Sequence, residues 1–230
     1  MANRVASLNV ILLVALALQF LVHWRTPPAQ ARATDLPALP SVPVLRAASL
    51  DEPIALSKAL MLYLQAFDNQ PGLSIPFRDL DYTRVEQWLA SIIALDPPSQ
   101  YPLLSASRLY AEVPVAAKQR RMLDFVHRAF LQDPNRRWPW LAHAVLIAKH
   151  RLKDLPLASR YAADLREHAR GAQVPHWVQQ MDIFIREDMN EMESAKILLG
   201  GLLQSGRITD PKELHFLSEK LKELEGNSKP

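Results

Sequence analysis

The stretch Asp96-Pro97-Pro98-Ser99-Gln100-Tyr101-Pro102 returns as Asp133-Pro134-Asn135-Arg136-Arg137-Trp138-Pro139, 37 residues further on. A third prolyl start, Pro175, comes 36 residues after Pro139. Recurrence at such a period marks a row of supersecondary units, each too small to bury its own apolar face, which shield one another by stacking. The residues between the copies carry helical spacing, so each unit reads as a helical hairpin. In this reading the Asp-Pro turn ends one helix. The second proline of each copy, Pro102 or Pro139, then opens the next helix in its first turn, where the missing N–H costs nothing.

The flanking segments follow the same pattern. Pro53 suits a helix start, and Ile54, Ala55, Lys58, Leu60, Met61 and Leu64 continue one amphipathic helix towards Asn69-Gln70-Pro71-Gly72. Asp81 is placed to cap a second helix with Val85, Trp88, Leu89, Ile92 and Ile93 on its apolar stripe. Near the C-terminal end, Gly200-Gly201 inside a helical run is read as a place of close backbone packing, with a hinge as the functional alternative. Ile208-Thr209-Asp210-Pro211 starts a last helix to about Leu224, with Leu214, Phe216, Leu217 and Leu221 as its buried stripe, which suits a solenoid cap. No stretch alternates with period two over strand length, so the fold class is all-α.

These hairpins resemble the tetratricopeptide repeat family. Trp140, Ala144 and Ile147, and Leu103, Ser107 and Tyr110 one copy earlier, follow that family's order of large, small and bulky residues in the first helix. Ala129, Ala158 and Ala195 match its small residues at the closest helix contact. The likeness spans roughly residues 81–203, with a period slightly longer than the family's roughly 34 residues. It implies a fold of stacked antiparallel helical hairpins, a TPR-like solenoid, and a concave groove for a partner peptide lined by the first helices. Carried over by spacing, the groove positions are Tyr101, Leu104, Arg108 and Glu112, then Trp138, Leu141, Val145 and Lys149.

Ahead of the repeats stands a second strong feature. Val5 to Val22 is apolar and free of charge, and as a helix its 18 residues reach roughly 27 Å, near the thickness of a bilayer core. Residues 1–25 are therefore read as a transmembrane anchor. Residues 26–48, with Pro27, Pro28, Pro37, Pro40 and Pro43, read as a proline-rich linker of polyproline-like, semi-rigid character. Residues 49–225 form the repeat domain and 226–230 a disordered tail. A charged start, a short apolar core and Ala29-Gln30-Ala31 or Ala31-Arg32-Ala33 also describe a cleaved secretory signal, so a secreted mature chain is the alternative. Arg4 against Arg25 and Arg32 leaves the orientation nearly balanced. The expected arrangement is a single-pass cell-membrane protein with a cytoplasmic N-terminus and a periplasmic or extracytoplasmic body, and zero cysteines fit it.

The chemistry-bearing residues do not converge on a reaction. The seven histidines show no His-x-x-x-His pair, and no metal or other cofactor is expected. Glu187, Asp188, Glu191 and Glu193 form an acidic cluster that can be read as paired carboxylates for acid–base work, Glu187 and Glu191 one turn apart, which keeps an exported hydrolase or accessory catalytic subunit as an alternative. A basic set, Lys118, Arg120, Arg121, Arg128, Arg136 and Arg137, could meet an acidic partner or lipid headgroups. With a formal charge of only +3, nucleic acid is not an expected partner, and neither is a small-molecule substrate. The expectation is a membrane-anchored scaffold or adaptor that binds a protein partner and catalyses nothing.

Overall fold

The computed structural model describes residues 2–25, 34–70 and 72–226; within the first helix, side chains are described for residues 11–22, 24 and 25. Among these residues the chain is all-α apart from one minimal ribbon. The helices are α1 (Ala2–Arg25), α2 (Val42–Ala48), α3 (Pro53–Ala66), α4 (Tyr82–Leu95), α5 (Tyr101–Arg108) and α6 (Ala116–Gln132). They continue as α7 (Pro134–His150), α8 (Leu155–His168), α9 (Trp177–Asp188), α10 (Met192–Gln204) and α11 (Pro211–Gly226). The ribbon pairs β1 (Asn69–Gln70) antiparallel with β2 (Leu73–Ser74), Asn69 opposite Ser74.

Contacts run between sequence neighbours. α3 packs on α4, α5 on α6, α7 on α8 and α9 on α10, while α11 closes against α10. One hairpin meets the next through α4 with α6, α5 with α7, α6 with α7, and α8 with α9. Several side-chain bonds between hairpins span similar separations in sequence. Arg121 donates to Glu86, Tyr161 donates its hydroxyl to Asp124 (2.8 Å), and His127 lies 2.6 Å from Asp164, pairs separated by 35, 37 and 37 positions. Each hairpin is thus tied to its copy one period away, as expected of a linear stack. The small residues lie in the packed interior: Ala144, Ala158 and Ala195 have no exposed surface, and Ala129 is buried.

Local chemistry explains where several helices start. Asp81 accepts hydrogen bonds from the Thr83 and Arg84 amides and so caps α4, an arrangement worth about 1 kcal/mol. Its stripe Val85, Trp88, Leu89, Ile92 and Ile93 is buried. The two Asp-Pro copies behave differently. Pro102 is the second residue of α5, as a first-turn proline should be, but Pro139 lies inside α7. The cause is the residue after the first proline. Pro98 forces Pro97 out of helical geometry and delays α5 to Tyr101, whereas Asn135 lets Pro134 open α7 at once, so that Pro139 is swept into the helix. Both prolines still stand early in the first helix of a hairpin.

Two more readings are corrected. Residues 34–48 lie on the body: Leu36 and Leu45 are buried, the Trp88 indole donates to the Pro37 carbonyl (2.8 Å), and Arg46 donates to the Ala94 carbonyl (2.9 Å). Their apolar side chains and the Trp88 donor found partners that proline content alone does not reveal, so this half of the linker is no free spacer. At Gly200 and Gly201 a Cβ would meet nothing within 4 Å, so close packing does not account for them. Gly171 is different, because a Cβ there would fall 2.9 Å from the Asn135 side chain, which accepts the Gly171 amide at 2.7 Å. In α11, Leu217 and Leu224 are buried while Phe216 is exposed.

Among the described residues no helix is long and apolar enough to cross a membrane. The beginning of the Val5–Val22 run, as side chains, lies outside them, as do both Ala-x-Ala sites and residues 227–230. From Ile11 to Val22 every large apolar side chain of α1 is at least half exposed.

Candidate functional site

The first helices of three successive hairpins, α5, α7 and α9, line a groove of about 650 Å³. α7 supplies Trp138, Pro139, Trp140, Ala142, His143 and Leu146; α9 supplies Trp177, Gln180, Met181 and Phe184; α5 supplies Arg108. The Trp138 and Trp177 rings meet edge to face at 5.5 Å. Trp140 donates its indole N–H to Gln100 (2.7 Å), which fixes that ring on the wall. Leu146 and Trp177 stand nearly half exposed, an apolar surface that a folded chain normally covers.

Few polar groups enter the groove. Arg108 is exposed and, among the described residues, forms no salt bridge. His143 has a buried Nε2 with no hydrogen bond, 3.7 Å from the Glu112 carboxylate. Burial, and then the charge of Arg108, hold its imidazole below the usual histidine range. It is therefore neutral at physiological pH.

The eight groove positions inferred from spacing divide. Arg108 and Trp138 line the groove. Tyr101 is exposed and bonds with Gln65, and Leu104 is partly buried. Glu112 bonds to Arg151 (2.9 Å) and Lys149 to Asp188. Leu141 and Val145 are fully buried core residues and present nothing to a partner. The error is one of register. From Trp138 the groove face continues at Ala142 and Leu146, steps of four, whereas a first step of three to Leu141 rotates the stripe into the core.

The basic set is already engaged. Glu86 receives Arg121 (2.9 Å) and Arg128, Asp154 receives Arg120, and Asp133 receives Arg136 (3.2 Å). The Leu157 amide and Arg120 together hold the Asp154 carboxyl below its usual range. Lys118 donates to the Arg78 and Leu80 carbonyls, and Arg137, buried, donates to the Ala129 (2.7 Å) and Pro97 (3.0 Å) carbonyls. The carboxylates Glu187, Asp188, Glu191 and Glu193 likewise go to four different cations: Lys220, Lys149, Arg186 and Lys196. They share no common centre.

One cluster escaped the sequence reading. Asp164, Glu167 and His168 bring three potential ligand atoms within 4.8 Å of one another on α8, and the signal for them was their i, i+3, i+4 spacing. Compared with protein-family models, curated proteins and solved structures, the chain matches none. The stacked hairpins thus rest on the contacts described above.

Proposed function

We propose that this chain is a membrane-tethered helical-repeat adaptor of tetratricopeptide type, whose groove between α5, α7 and α9 takes an apolar segment of a protein partner with a carboxylate facing Arg108. The observation that carries the reading is the groove itself: three tryptophans, Leu146, Met181 and Phe184 around one unpaired guanidinium. Tryptophan and arginine are the residues on which binding energy concentrates, and apolar side chains of an incoming helix or strand would displace water from this lining. The reading needs no catalytic step.

The tether rests on the charge-free Val5–Val22 run of the sequence, because no described helix is by itself long and apolar enough to cross a membrane. The large apolar side chains of α1 are exposed from Ile11 to Val22. So many apolar side chains left in the open favour an apolar surrounding, and a bilayer supplies one. The body then stands on the extracytoplasmic side with a cytoplasmic N-terminus. Mass spectrometry of the membrane fraction is expected to find the N-terminal segment intact; a mature chain starting at Arg32 or Thr34 contradicts the tether.

The groove is tested with synthetic peptides that combine tryptophan, leucine or phenylalanine with a glutamate, titrated against the detergent-solubilised full chain by intrinsic fluorescence. Binding is expected to saturate and to weaken about tenfold or more in Leu146→Asp, a substitution at an exposed site that should leave stability within about 0.5 kcal/mol. Arg108→Gln should weaken acidic peptides and spare their glutamine counterparts. Titrations indistinguishable among the three proteins contradict the groove as the binding site.

A further inference from the structure

A second pocket, of about 260 Å³, opens between the C-terminal ends of α8 and α10 and the middle of α9. Its rim carries three guanidinium groups, Arg166, Arg170 and Arg207, over a floor that includes Ile183, Leu198 and Leu202. Gly201 lies in the wall with open space where a side chain would be, which keeps the mouth clear.

The charge here is not balanced from within. Arg166 is held by the buried Asp182 (2.9 Å), which also receives Arg186 (3.1 Å), and it lies 3.6 Å from Glu167. Among the described residues, neither Arg170 nor Arg207 has a carboxylate within salt-bridge distance. The carbonyl ends of α8 and α10 contribute roughly half a negative charge each, which offsets about one of these two guanidinium groups. About one positive charge remains at the mouth of a half-apolar pocket. Guanidinium forks match the oxygens of a phosphate group, and the aliphatic floor suits carbon attached to it.

We infer that this pocket binds an organic phosphate, its phosphate oxygens on Arg170 and Arg207 and its apolar portion on Ile197, Leu198 and Leu202. This goes beyond the peptide groove, which shares none of these residues. A phosphate with an apolar tail occurs in soluble phosphate esters and in lipid headgroups, and the experiment separates the two.

Hexyl phosphate is titrated into the full chain in nanodiscs of phosphatidylcholine by isothermal calorimetry, with inorganic phosphate and hexanol as half-probes. Hexyl phosphate should bind more tightly than either half and weaken as salt rises. Arg170→Gln with Arg207→Gln should reduce affinity by about tenfold per guanidinium lost. Both positions are exposed, so the fold is retained and circular dichroism verifies it. Leu202→Ala, at a partly exposed lining position, should weaken hexyl phosphate while sparing inorganic phosphate. Replacing part of the phosphatidylcholine by phosphatidylglycerol assigns the source: competition identifies an anionic headgroup as the ligand, and unchanged binding identifies a soluble ester. No binding of hexyl phosphate, or equal binding by the double variant, overturns the proposal. Leu146→Asp should leave this binding unchanged while impairing the groove, so each site can fail alone.

Discussion

On the α4–α6 side of the hairpins, Arg120, Arg121 and Arg128 each meet a carboxylate of another hairpin, whereas in the groove lined by α5, α7 and α9 Arg108 has none among the described residues. Arg121 and Arg128 share Glu86, and Arg120 takes Asp154. Arg108 stands beside tryptophans with no carboxylate of its own among the described residues. A run of basic residues along the chain is therefore a poor guide to surface charge in a repeat fold, because the neutralising carboxylates arrive from a hairpin about one period away. Chemistry is left to offer where a guanidinium lacks such a carboxylate, as Arg108 does among the described residues.

Substitutions on α7 can break that comparison most forcefully. Leu141→Ala should cost about 2–5 kcal/mol, read from urea unfolding, because the side chain is fully buried; a loss under about 1 kcal/mol would return Leu141 to the groove. Ala144→Leu should cost about 1–3 kcal/mol by overpacking the helix contact, and an unchanged melting temperature would contradict the stacking. Glu86→Gln should cost no more than about 1 kcal/mol, since its arginine partners are largely exposed. Yet it should free both arginines and visibly strengthen retention on a cation-exchange column.

The smallest effect concerns pH. Burial, and then Arg108, hold His143 below its ordinary value, so the unfolded chain takes up a proton before the folded one does. Stability linked to this group is complete above about pH 6.5 and is lost as pH falls below it. The difference in unfolding free energy between about pH 7.5 and 5.5 should shrink in His143→Gln. If the variant shows the same pH slope, His143 is not the titrating group.

Much of the fold was legible in the chain. The Asp81 cap, the Val85 to Ile93 stripe and the helix pairs about 37 positions apart follow from local spacing alone. What was not legible depended on rotation or on distant partners. Three-residue and four-residue steps are equally helical, so spacing could not decide between Leu141 and Ala142. Pro139 looked equivalent to Pro102 until Pro98 and Asn135, the residues that fix where each helix starts, were compared in place. Thr34 to Ala48 read as a spacer because its partners, Gln70, Trp88 and Ala94, lie 36 to 51 positions away.

The central claim is that α7 turns Leu146 to the groove and Leu141 to the core, with the partner covering the former. The chain has no cysteine, so single substitutions Leu146→Cys and Leu141→Cys each give one thiol to follow. Thiol labelling of the native full chain should be fast at position 146, slowed by a saturating groove peptide, and at position 141 as slow as global unfolding. Equal rates at the two positions, or a rate at 146 that the bound peptide leaves untouched, would contradict the account.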